Sequence, residues 1–219
     1  MLIFQNVRKG DVTRQAILDR ACALGSTVGL EGVTIGRLSD ELQLSKSGLF
    51  AHFKSKEALQ VQTLEHAASV FVEQVVKPAL TAPRGEPRLR AMFERWLAWA
   101  RESAFPGGCL FVAAATEYDD RPGPVRDHLV KTQRDWLDAI AHAVRIAISE
   151  GHFRADTDAE QFAHDMYSVM LGWHHAARLM QDPRAFDRAR RAFDALISAA
   201  RVAAPQRRNA AARPRARAS

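Results

Sequence analysis

Apolar positions recur every three to four residues along nearly the whole chain, and nowhere do they alternate over a strand-length run. Ile17, Ala21, Leu24 and Val28 line one face of a first helix over about 11–28, which Gly29 and Gly32 end. Two short helices follow. Thr34 suits an N-cap ahead of Ile35, Leu38 and Leu42, Gln43-Leu44 makes a turn, and Ser45 caps a helix over 46–53. Ser55 caps a fourth helix with an inner stripe of Leu59, Leu64, Ala68, Phe71 and Val75, expected to stop before Pro78. Three prolines and a glycine in 78–87 read as a loop. Further helices are expected through Leu89–Ala100, through Cys109–Tyr118 and over about 125–150 behind Pro124. The last two run over about 158–181 and through Phe186–Ala200. The fold class is therefore all-α, with about nine helices.

The stretch 34–57, TIGRLSDELQLSKSGLFAHFKSKE, carries the most chemistry. Leu49 and Phe53, four residues apart, face inward beside Leu38 and Leu42. That leaves Lys46, Ser47, Phe50 and His52 outside, and Gly48 adds no side chain between the helix and what it meets. A helix of two turns with one apolar edge and a small, basic outer face suits insertion into the major groove of DNA. Lys54 is a phosphate partner on charge alone.

These residues closely resemble the DNA-binding domain of the TetR family, the bacterial regulators typified by the tetracycline repressor. The resemblance runs from about Thr13 to Leu64 and includes RQAILDRACALGSTVGLEGVT and SKSGLFAHFKSKEAL. Two positions depart from the family pattern: Gln43 stands where Gly is usual in the turn, and Phe50 where Tyr is usual. Phe50 lacks the phenolic hydroxyl and contributes apolar contact instead. The resemblance implies a three-helix helix-turn-helix head over 1–57 and a helical ligand-binding and dimerisation body over 58–203. It also implies that His52, Lys56 and Thr34 touch phosphate. Thr34, Arg37, Lys46, Ser47, Gly48, Phe50, His52, Lys54 and Lys56 form the expected DNA-binding set.

Charge changes the picture little. The formal net charge is +6, but residues 201–219 hold six arginines and no acid, which leaves 25 basic and 25 acidic residues before them. The first 57 residues carry eight basic and six acidic side chains. DNA affinity must then come from local placement of cations and from helix N-termini aimed at phosphates, not from overall charge. The Ala-, Arg- and Pro-rich segment 204–219 is expected to be disordered.

In the body, Trp96, Trp99, Phe111, Tyr118, Trp136, Met166, Met170 and His174 are candidates for an effector pocket. Aromatic rings and thioethers suit an adaptable apolar cavity, although core packing accounts for most such residues. His174-His175 and His164 lack metal-ligand spacing, and neighbouring residues on a helix diverge by about 100°. No metal or cofactor is expected. Cys22 and Cys109 read as reduced cysteines, the latter at a helix start where a thiolate could be favoured.

Glu117, Asp119, Asp120 and Arg121 read as a capping cluster ahead of a Pro-Gly-Pro turn, and no catalytic motif is present. The expectation is a cytoplasmic, non-enzymatic homodimer without a membrane span. It binds a palindromic double-stranded DNA operator and releases it on meeting a small apolar effector. A nonspecific nucleoid-type DNA-binding protein and a small hydrolase are the competing readings.

Overall fold

The computed structural model describes residues 9–102 and 105–202, with side chains over 14–101 and 105–202. The Arg-rich segment 204–219 lies outside the described residues. Within them the chain forms nine helices and no strand, with one isolated β-bridge between Phe153 and Arg201.

α1 (Lys9–Val28) buries Ile17, Ala21 and Leu24. Val28, expected on the same face, is 41% exposed, because α1 ends there and Gly29 turns the chain away at a φ of 83°. After a 3-10 turn (Leu30–Gly32) come α2 (Ile35–Leu42) and α3 (Lys46–Phe53). Both caps form as the sequence implies. Thr34 Oγ1 accepts from the Arg37 N–H at 3.1 Å, and Ser45 Oγ accepts from the Gly48 N–H at 3.1 Å.

α4 (Lys56–Phe71) starts at the Ser55 cap but does not stop before Pro78. It continues through a π-helical stretch (Val72–Val76) into a last α-helical turn (Lys77–Leu80). In the π stretch the Lys77 N–H reaches back five residues to Val72 O. That wider turn leaves room for the proline ring and its missing N–H, so Pro78 does not break the rod. The loop expected over 78–87 therefore shrinks, and α5 (Glu86–Glu102) starts with Pro87 in its first turn.

α6 (Leu110–Tyr118), α7 (Pro124–Ser149), α8 (Ala159–Arg178) and α9 (Ala185–Ala200) complete the body. α8 packs on α7 and α9, and α4 packs on α1 at one end and α7 at the other. The core is one continuous cluster that includes the stacked rings of Phe93 and Phe193, 4.1 Å apart. Burying such rings is the largest favourable contribution a core of this kind makes, at about 25 cal/mol per Å² of apolar surface.

Candidate nucleic-acid interface and body cavity

α3 is held from behind and open in front. Leu49 and Phe53 are buried against the α1–α4 core, and the Arg14 guanidinium sits 6.0 Å from the Phe53 ring centre. On the outer side Lys46, Ser47, Gly48, Phe50, His52 and Lys54 are all exposed, Phe50 by 57%. An exposed phenylalanine on a two-turn helix leaves apolar surface in water, which a DNA groove or thymine methyl would cover.

The helix-turn-helix bend runs through Gln43, which adopts the left-handed conformation at φ 53° and ψ 39°. Glutamine thus fills the place that glycine would fill without strain. Lys54, just beyond α3, also has a positive φ of 64°. Arg37 is exposed and lies 3.4 Å from Glu41, while Thr34 is occupied in its cap.

Lys56 behaves differently from the other cations. It is half-buried and paired with Glu31, so part of its charge is already neutralised. Glu31 in turn accepts from the Tyr118 hydroxyl at 2.9 Å and lies 3.4 Å from Arg121. Lys56 and then Tyr118 hold the Glu31 carboxyl below its usual range, whereas burial first and Glu31 second push the Tyr118 phenol up.

Glu117 completes this junction. Its Oε1 accepts from the Leu30 N–H at 3.0 Å and its Oε2 from the Glu31 N–H at 2.8 Å. Both carboxylate oxygens are engaged by backbone donors, the use of an acid as a cap rather than as a proton shuttle. Nearby, the Gly107 N–H donates to Ser26 Oγ at 2.9 Å, and a Cβ on Gly107 would lie 1.5 Å from Ser26 O. Only glycine allows that approach. The end of α6 and the loop before it therefore grip the end of α1 and the turn leading into α2.

The body encloses a cavity of about 660 Å³ between α4, α5, α6, α7 and α8. Phe71 stands in its wall, edge-on to Trp136 at 5.1 Å, Trp99 at 5.5 Å and Phe111 at 6.3 Å. Val72 and Val76 of the π stretch also border it.

Of the eight body residues singled out by sequence, Trp96, Phe111 and Trp136 line this cavity. Met166 and Met170 are wholly buried in the core, and Trp99 is buried behind Phe71. Tyr118 belongs to the junction with Glu31. His174 sits beside Gly108, and burial, followed by Arg178, lowers its pKa. Phe71, His128, Gln133 and Tyr167 line the cavity without having been expected to. Phe71 reads as one more core position on its stripe, and the other three give no periodic signal.

Cys109 borders the cavity as a thiol, because burial pushes its pKa up and outweighs any preference of the helix start for thiolate. Cys22 is likewise buried, and its Sγ lies 3.3 Å from Thr63 O. Among the described residues no three His, Cys, Asp or Glu side chains converge in a way that could hold a metal ion. Nor is any described helix long and apolar enough to cross a membrane.

Two family profiles match the chain. "Bacterial regulatory proteins, tetR family" covers residues 17–62, and "Tetracyclin repressor-like, C-terminal domain" covers residues 85–193. This chain belongs to the TetR family. A TetR transcriptional regulator from Chloroflexus aurantiacus is 25% identical, with a TM-score of 0.80 over 90% of this chain and 100% of its own. A TetR-family regulator from Cytophaga hutchinsonii reaches the same TM-score at 20% identity, over 91% of this chain and 100% of that one.

AibR, solved with isovaleryl coenzyme A and operator DNA, aligns with a TM-score of 0.64 at 21% identity. That alignment covers 85% of this chain and 96% of AibR. None of the curated proteins matches. The TetR-family chain is thus a DNA-binding transcription regulator with a helix-turn-helix, and α3 occupies the place of its recognition helix.

Proposed function

We propose that this TetR-family protein is a homodimeric repressor that releases a palindromic operator when a small, mostly apolar effector enters the body cavity. The observation that carries the reading is the double role of α4. It starts beside the exposed face of α3 and ends as the cavity wall at Phe71, Val72 and Val76. In this reading residues 1–57 read the DNA and residues 58–203 bind effector and partner. Lys46 and Ser47 reach base edges from the N-terminal end of α3, where such contacts are usually made. Phe50 adds apolar contact, and Thr34, Arg37, His52, Lys54 and Lys56 serve the phosphates.

An effector switches the protein only if it favours one head spacing over the other. The junction of Glu31 with Lys56, Tyr118 and Arg121 supplies a rigid contact through which α6 acts on the head.

Dimerisation through α8 and α9 rests on their outer faces. The large residues first expected to need a partner, Phe162, Met166, Met170, Trp173 and Phe193, are already buried within one chain. What remains outside is small: Ser168 and Gly172 on α8, and Ala192, Ala195 and Ala199 on α9, are exposed. A Cβ on Gly172 would meet nothing within 4 Å. Small side chains let two helix pairs approach closely across a two-fold axis.

The test is a titration of the protein against DNA flanking its own gene, with and without candidate effectors. Sequence-selective binding that one effector reverses supports the repressor reading. Equal affinity for any duplex supports the nucleoid-type alternative instead.

A further inference from the structure

The chemistry of the cavity narrows the effector class, an inference that rests on the cavity being the effector site. Its walls are dominated by the rings of Phe71, Trp96, Phe111 and Trp136. The charged residues bordering it are Glu65, Lys131 and Asp135. All three are exposed at the rim, and Lys131 is already paired with Asp135 at 2.6 Å. Nothing lining the interior would neutralise a carboxylate, a phosphate or an ammonium group, and burying an unpaired charge is strongly unfavourable.

Two polar atoms at the cavity have no partner. Trp136 is more than nine-tenths buried, and its Nε1 meets no acceptor. His128 Nε2, eight residues earlier on α7, is also buried without a partner. Tyr167 donates its hydroxyl hydrogen to Gln133 Oε1 at 3.2 Å, which occupies the Gln133 carbonyl and leaves its amide N–H groups available. An indole nitrogen can only donate. The site therefore lacks an acceptor, and a buried donor left unmet destabilises the empty state.

We infer that the effector is a neutral, ring-rich molecule whose carbonyl oxygen accepts the Trp136 indole hydrogen, with the aromatic walls covering the remainder. A volume of about 660 Å³ lies within the range of small-molecule sites.

Calorimetric titration of the full-length protein, without DNA, tests this with three probes of one frame: anthracene, 9,10-anthraquinone and anthraquinone-2-sulfonate. The wild-type protein is expected to bind anthraquinone at least about tenfold more tightly than anthracene, or about 1.4 kcal/mol. The sulfonate is expected to bind more weakly than anthraquinone. Trp136→Phe keeps a ring and removes the N–H, so it should erase the anthraquinone advantage while leaving anthracene affinity within about twofold.

Equal affinity for anthracene and anthraquinone in the wild-type protein overturns the inference without recourse to any variant. So does preferred binding of the sulfonate, or no binding by any probe. Because no DNA is present, these outcomes are separable from failure of operator binding, which would overturn the repressor reading instead.

Discussion

The Tyr118 hydroxyl donates to Glu31 at 2.9 Å, tying the C-terminal end of α6 to the turn that leads into the helix-turn-helix. Because α6 borders the body cavity through Phe111, this bond lies on the shortest covalent and packed route from cavity to head. Tyr118→Phe keeps the ring and removes the donor. The loss is expected to be about 1 kcal/mol, at the low end for a bond to a charged group because Glu31 is half exposed. Urea unfolding measures it. In the repressor reading the same substitution weakens the response of DNA binding to effector.

Acid should loosen this junction. The Glu31 pKa is lowered, by Lys56 first and Tyr118 second, from its ordinary value of 4.5. A carboxyl with a depressed folded-state pKa stabilises fully above the unfolded value and loses that contribution as pH falls through the folded value. Unfolding free energies compared between pH 6 and pH 3 should therefore fall further in the wild type than in Glu31→Gln. An identical pH slope in both proteins would remove Glu31 from the junction's energetics.

Gln43 and Lys54 both hold left-handed backbone that glycine adopts without cost. Gln43→Gly is expected to stabilise the protein by up to about 1 kcal/mol with little effect on DNA binding. Lys54→Gly should stabilise by a similar amount yet reduce DNA affinity. It should also make the slope of log affinity against log salt shallower by about one. Thermal unfolding together with a salt series separates the two effects.

Gly172 faces open space on the outer side of α8. Gly172→Glu should leave the monomer folded, because nothing in the chain contacts that position, and should split the proposed dimer. Light scattering on the eluting peak gives the mass. A variant that stays dimeric would move the interface away from this face.

Local signals made the head legible from sequence. Thr34, Ser45 and Ser55 each cap a helix through its own third N–H, a contact that depends on only four consecutive residues. The same holds for Asp158, which accepts from the Gln161 N–H and starts α8. Long-range packing hid the rest. Pro78 reads as a stop unless the π turn before it is known, and that turn forms where α4 meets α5 and the cavity.

Phe71 fits a core stripe equally well whether it faces packed atoms or a cavity, and only the placement of four other helices distinguishes the two. Glu117 shows the same limit. Its acid pattern permits capping or catalysis, and its choice of Leu30 and Glu31, some 87 residues away, is set by the fold.

The placement of α3 as the DNA-reading helix is tested most directly by Lys46→Ala. Lys46 is exposed at the N-terminal end of α3 and makes no packing contact on which the head depends. Fluorescence anisotropy against the operator fragment is expected to show a loss of about tenfold or more, with the protein's mass and melting temperature unchanged. Operator affinity equal to that of the wild type at the same salt concentration would contradict it.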